Sequence, residues 1–219
     1  MALPSDLEQL RQALAQGRKH FPGLRLRDLD GVDLDLSDCN LQGSCFREAR
    51  FGRARLRSAL LQGCFFQQAL LWGADLSAAQ AERSFWQEAD LSGSRLQEAN
   101  FSEALLHRSC LRGVLAAGSS WRDARLVEAD FRSGLDQLTD LGGADFRGAD
   151  LSFSRLQGAQ LQGADLRNAC LYGADLRQSD LRQADLSHCD LRDCALDGAR
   201  LDDARLEGAL LLQCDQQSL

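Results

Sequence analysis

Every fifth residue from Leu36 to Leu211 is large and apolar: of 36 such positions, 25 are Leu, six are Phe and two are Trp, and only Ala81, Ala116 and Asp136 depart. The series reaches back through Gly31 and Leu26 to Phe21. Two residues before each member stands a small one, as in Ala49, Ala54, Ala59, Cys64, Ala69 and Ala74, and the residue between them is often Asp or Asn, as in Ala74-Asp75-Leu76. The other two places hold mostly Arg, Gln, Ser, Gly or Glu. A spacing of five suits neither a 3.6-residue helix nor a simple alternating strand. The chain must therefore turn a corner in every repeat. Small and large residues two apart both point inward, as pleat neighbours do, and the residue between them points out. No repeat can bury its Leu alone, so the repeats must stack.

The ends and the departures carry further expectations. Ser5 with Glu8 reads as a capping box, Leu7, Leu10 and Leu14 share a helical face, and Gly17 suits the stop, so residues 5–16 are expected to form a short capping helix. Leu24, Leu29 and Leu34 replace small residues in the first repeats, which suits a wider coil beneath that helix. The other end runs out through Leu210, Leu211 and Leu212 with no helical signal after them. Ala81 is followed one repeat later by Trp86, and Ala116 by Trp121, so a small axial residue is twice offset by the largest one. The irregular stretch Gly134-Leu135-Asp136-Gln137-Leu138-Thr139 puts a carboxylate at an axial place. Burying it unpaired is costly, so Asp136 should turn outward with Leu135 or Leu138 inward. The count of five continues across this stretch, and no inserted loop is expected.

These residues resemble the pentapeptide-repeat family, whose motif is A(D/N)LXX, over about Phe21 to Leu211. The resemblance implies an all-β fold, a right-handed quadrilateral parallel β-helix in which four repeats make one coil and residues twenty apart stack. Nine coils at ~4.8 Å each would run roughly 43 Å. With the helix read from residues 5–16, the chain is expected to divide into a capping helix and lead-in (1–20), a repeat body (21–215) and a tail (216–219). Within the family, Ala69-Leu70-Leu71-Trp72-Gly73-Ala74-Asp75-Leu76-Ser77 and Thr139-Asp140-Leu141-Gly142 are similar to cyanobacterial HetL-like members, which implies a regulatory protein partner. The Qnr quinolone-resistance proteins, which act on DNA gyrase with projecting loops, are more distantly similar.

Charge changes this picture little. The 32 acidic and 25 basic residues are intermixed, commonly as Asp two places before Arg, and the net charge is −7. No basic stripe invites nucleic acid, and a DNA mimic calls for a stronger negative excess. The charged N-terminus and the lack of long apolar runs point to a cytoplasmic protein away from membranes. The eight scattered cysteines read as reduced thiols.

Candidate chemistry is sparse. His20, His107 and His188 are far apart in the repeat count, and Cys189 and Cys194, which with His188 could suggest a metal site, hold the inward small place. No enzyme, metal or cofactor is expected. The acidic columns, such as Asp145, Asp165 and Asp185, read as turn acceptors offset by Arg147 and Arg167. Where the motif prefers Asp, the outward place is apolar at Leu60, Phe65, Leu70, Phe85, Leu105, Leu115 and Leu135. With stacking at twenty, Phe65, Phe85 and Leu105 would form one stripe, flanked by Leu60 and Leu70. The expected function is a non-enzymatic scaffold or regulator offering this rigid surface to a protein partner. The alternative is a DNA mimic that binds a topoisomerase such as DNA gyrase. Leu210, Leu211 and Leu212 leave an uncovered end through which a homodimer could close.

Overall fold

A computed structural model describes residues 2–26, 29–134 and 136–211. One helix opens it, α1 (Leu7–Ala15). Its N-cap is Asp6 and not Ser5: the Asp6 carboxylate accepts the Gln9 backbone N–H at 2.8 Å, and Gln9 Oε1 accepts the Ser5 N–H at 3.1 Å. The helix ends in a Schellman motif, with Gly17 N donating to Leu14 O at 2.8 Å and Arg18 N to Ala13 O at 3.0 Å. Gly17 takes φ +78°, which a side chain resists. Leu10 is fully buried against the first repeats, and Leu7, Ala13 and Leu14 pack beside it.

The expected all-β, right-handed quadrilateral parallel β-helix needs correction. Among the described residues none belongs to a β-strand, and α1 is the only regular element. Isolated parallel bridges take the place of a sheet, joining residues twenty apart, as in Asn40↔Leu60, Cys45↔Phe65, Arg50↔Leu70 and Arg55↔Asp75. The physical reason is the turn in every repeat. Most axial carbonyls accept from the N–H three residues on, as in Leu34 N to Gly31 O at 3.0 Å, and the second turn residue has positive φ, as in Asp33 at 58°. That leaves one outward residue per repeat free to bridge, and a strand requires several in a row. Each bridge is a matched pair of hydrogen bonds: Leu41 N donates to Leu60 O, and Leu60 N donates to Cys39 O, both at 2.9 Å.

The bridges sort the outward residues into four columns, and the axial and small residues fill the inside. Axial side chains from Leu36 to Leu191 are buried apart from Asp136, as are Leu24, Leu29 and Leu34 at the wider start. The aromatic rings stack along the axis, Phe66 on Trp86 at 4.1 Å and Phe101 on Trp121 at 4.6 Å. Both Trp residues bury a donor, and a serine two places earlier receives it: Trp86 Nε1 donates to Ser84 Oγ and Trp121 Nε1 to Ser119 Oγ, each at 2.6 Å. Those hydroxyls donate in turn to the carbonyls of Ala81 and Ala116.

The unbroken count of five hides an insertion. Up to Cys110↔Asp130 the bridges join residues twenty apart; then Leu115 meets Asp140 and Ser120 meets Asp145, twenty-five apart, before Asp140↔Gln160 restores the spacing. One repeat, residues 134–138, is looped out of the stack, contrary to the expectation of none. Asp136 is exposed as expected, but Leu138 is 58% exposed and does not turn inward, and Leu135 lies outside the described residues. Thr139 takes the buried small place that Gly134 would have held; its hydroxyl accepts Gly113 N–H at 2.8 Å and donates to Arg132 O at 3.0 Å. Removing residues 134–138 would join Ser133 directly to Thr139 in perfect phase. That deletion is expected to leave a cooperatively folded protein whose stability changes by no more than ~1 kcal/mol, since loop shortening costs little. Urea unfolding checks it, and a collapse of the transition would mean that the segment is an integral part of the stack.

Candidate protein-binding surface

The bridges Cys45↔Phe65, Phe65↔Phe85, Phe85↔Leu105 and Leu105↔Arg125 put the three stripe residues in one column. Phe65 and Phe85 lie with rings parallel to within 3° and centroids 4.7 Å apart. Each of Phe65, Phe85 and Leu105 is partly exposed. Leu60 and Leu70 are not in this column: they sit one repeat before and after Phe65, in the columns on either side, with Leu70 at 40% exposure. Arg47 covers the lower end of the stripe, its guanidinium 5.3 Å from the Phe65 centroid.

Two aromatic residues escaped the sequence reading because they occupy turn places. Trp72 is 40% exposed and lies flat over Gly52 of the preceding coil, where a Cβ would run into the indole; the Arg53 guanidinium sits 5.4 Å from its centroid. Phe153 is 53% exposed, lies over Gly173 and meets the Tyr172 ring edge-on at 5.5 Å. The available signal was a bulky ring at a polar turn position with a glycine twenty residues away.

The acidic columns are internally neutralised. Asp145, Asp165, Asp175, Asp180 and Asp190 each take both the backbone N–H and the guanidinium of the arginine two places on, for example Asp180 from Arg182 Nε at 2.8 Å. Arg182, with help from Gln162, holds the Asp180 carboxyl down at about 2. Arg147 also reaches Asp165 at 3.4 Å, so the Asp145, Asp165, Asp185 column is interleaved with cations.

The thiols at the inward small places behave as small core groups. Cys64, Cys189 and Cys194 donate to Leu41 O, Leu166 O and Leu171 O, and burial pushes each up to about 12. Cys214, stacked on Cys194 by the count, lies outside the described residues. Among the described residues no cluster of three or more His, Cys, Asp or Glu could hold a metal ion. At the C-terminal end Leu196, Leu201, Leu206 and Leu211 are only partly buried and Leu210 is 52% exposed; Leu212 lies outside the described residues.

A family profile described as Pentapeptide repeats (8 copies) matches residues 35–73, 74–113, 139–168 and 169–208, more than half of the chain. The gap at 114–138 contains the looped-out repeat. Among solved structures, HetL, a pentapeptide repeat protein involved in heterocyst differentiation regulation from the cyanobacterium Nostoc sp. strain PCC 7120, is similar at 30% identity; the match covers 95% of this chain and 98% of HetL, with a TM-score of 0.66. A trypsin-treated variant of QnrB1, a plasmid-mediated fluoroquinolone resistance protein, is similar at 20% identity over 88% of this chain and 93% of its own, with a TM-score of 0.51. That likeness concerns the fold alone. No curated protein sequence matches the chain.

Proposed function

This chain belongs to the pentapeptide-repeat family, and on that premise we propose that it is a non-enzymatic regulator that binds a protein partner through Phe65, Phe85 and Leu105, with Leu60 and Leu70 at the edges. The observation that carries the reading is the stacked, part-exposed Phe65–Phe85 pair at places where the motif prefers Asp. Stacked rings held by a hydrogen-bonded backbone lose little entropy on binding, which favours them as anchors. Kinship with HetL, itself involved in regulation, supports the regulatory part. Among the described residues no helix is long and apolar enough to cross a membrane, and the reading takes the partner to be cytoplasmic. It also keeps the division into cap and lead-in (1–20), repeat body (21–215) and tail (216–219), the last of which lies outside the described residues.

The test replaces both rings by Asn, which the motif admits and which adds no charge. Phe65→Asn, Phe85→Asn should keep a cooperative melt, losing about 1 kcal/mol with the stacked pair. It should weaken binding of the partner captured from the native host by roughly a hundredfold. A folded variant that binds that partner as tightly as the parent removes the column as the site.

Mimicry of duplex DNA toward a topoisomerase such as DNA gyrase has less support. A mimic needs a continuous negative face, and the outward aspartates are paired with arginine along the acidic columns. The looped-out segment at 134–138 removes one objection to it without supplying that face.

The same proposal includes self-association. Leu196, Leu201, Leu206 and Leu211 are the least covered axial residues, and Leu210 stands exposed beside them. A two-fold contact between two such ends covers both and stops growth. Sedimentation at micromolar concentration should show a dimer that Leu210→Lys with Leu211→Lys dissociates; a wild-type monomer would refute the contact.

A further inference from the structure

The chemistry that the partner brings can be read from what surrounds Phe85; this inference rests on the proposed binding column and adds to it. Three places to either side of Phe85 stand two carboxylates, half-buried Glu82 and exposed Glu88, on the turns that border it. Among the described residues neither reaches a cation. Their neighbours do: Glu103 takes Arg83 Nε at 2.8 Å and Glu128 lies 3.6 Å from Arg108. Glu82 Oε1 accepts from Asn100 Nδ2 at 2.8 Å and Glu88 Oε2 from Gln68 Nε2 at 2.9 Å, neutral donors, and Arg83 acts on Glu82 only at longer range. On the same coil Glu82 Oε2 and Gln87 Oε1 are shut off from solvent with no donor among the described residues. Acceptors left in that state favour any arrangement that brings them an N–H.

One coil below, the chain meets this need itself. Arg47 lies over the Phe65 ring and its Nε donates to Gln67 Oε1 at 3.1 Å. Twenty residues on, Arg47 is replaced by Gln67, while the ring and the acceptor recur as Phe85 and Gln87. The arginine is the missing member.

We infer that the partner docks an arginine side chain against Phe85, between Glu82 and Glu88, with an adjoining apolar side chain on Phe65 and Leu105. Phe65 at 4.7 Å and the bridged Leu105 flank the two faces of Phe85, so the arginine lies along the part-exposed outer edge of the ring. There the apolar arginine stem packs on the ring, the guanidinium fork reaches for the carboxylates, and a turn of the terminal Gln87 amide brings its oxygen outward. Charge complementarity therefore favours a cationic, apolar partner segment over a neutral or acidic one.

Two labelled peptides of equal length test this, Leu-Arg-Leu-Arg-Leu and the same peptide with citrulline, neutral and of similar size, for each Arg. Fluorescence anisotropy in about 50 mM salt, where screening is modest, should show the arginine peptide bound about tenfold more tightly, the effect of one hydrogen bond to a charged group. The preference should vanish in Glu82→Gln, Glu88→Gln. It should persist in Asp197→Asn, Asp203→Asn, which removes the same charge at exposed sites elsewhere. Equal affinity of the two peptides, a preference that survives the Glu82 and Glu88 changes, or no binding of either overturns the inference. If both peptides bind equally and Phe65→Asn, Phe85→Asn abolishes binding, the column stands and only the arginine anchor falls. If that ring variant binds like wild type, the column falls with it.

Discussion

Replacing Trp121 by Ala is expected to destabilise the protein by about 3–5 kcal/mol, among the largest effects of any single axial change. The indole stacks between Phe101 at 4.6 Å and Phe146 at 5.9 Å, and its loss opens a cavity that rings held by stacked coils can close only in part. Ser119 would at the same time lose the donor at its hydroxyl. The neighbouring Ala116 gives the result a sharper form. Ala116→Leu alone overpacks a full axis and should cost ~1–3 kcal/mol. Combined with Trp121→Leu, the added volume meets the vacated space, so the double variant should be more stable than the sum of the two singles by at least ~1 kcal/mol. Urea titrations of the three variants measure the coupling. Strict additivity would mean that the small and large axial residues do not share one space.

Leu10→Asp is expected to cost about 3 kcal/mol locally, from the lost burial of a leucine and the exclusion of a charge from an apolar seat. Leu10 is the one fully buried side chain of α1, packed with Phe21 and Leu24 under the first coil. The loss should appear first as detachment of α1, because the coils beyond it are held by their own bridges. Since α1 is the only helix among the described residues, far-UV circular dichroism near 222 nm isolates it, and amide exchange at Leu24 and Leu26 should rise with its loss. Unchanged helicity and exchange would show that α1 is not needed to cover the first coil.

The repeat and its sidedness were legible in the sequence, because burial acts on each residue separately: a Leu at every fifth place and an Ala two before it must both face inward wherever the chain folds, as Ala74 and Leu76 do. The helix was legible for the same reason, down to the glycine that stops it, although its cap is Asp6, since two adjacent capping residues compete and only the backbone path chooses. The column Phe65, Phe85 and Leu105 needed only the spacing of twenty. Contacts among distant residues were decided in three dimensions. Chains that turn every five residues form bridges and not strands, a fact of backbone hydrogen bonding that side-chain patterning does not encode. An insertion as long as the repeat leaves the phase untouched, so no count along the chain can tell whether residues 134–138 stay in the stack. That choice depends on whether Leu115 pairs with a residue twenty or twenty-five away, and the buried Thr139 hydroxyl, bonded to Gly113 and Arg132, favours twenty-five.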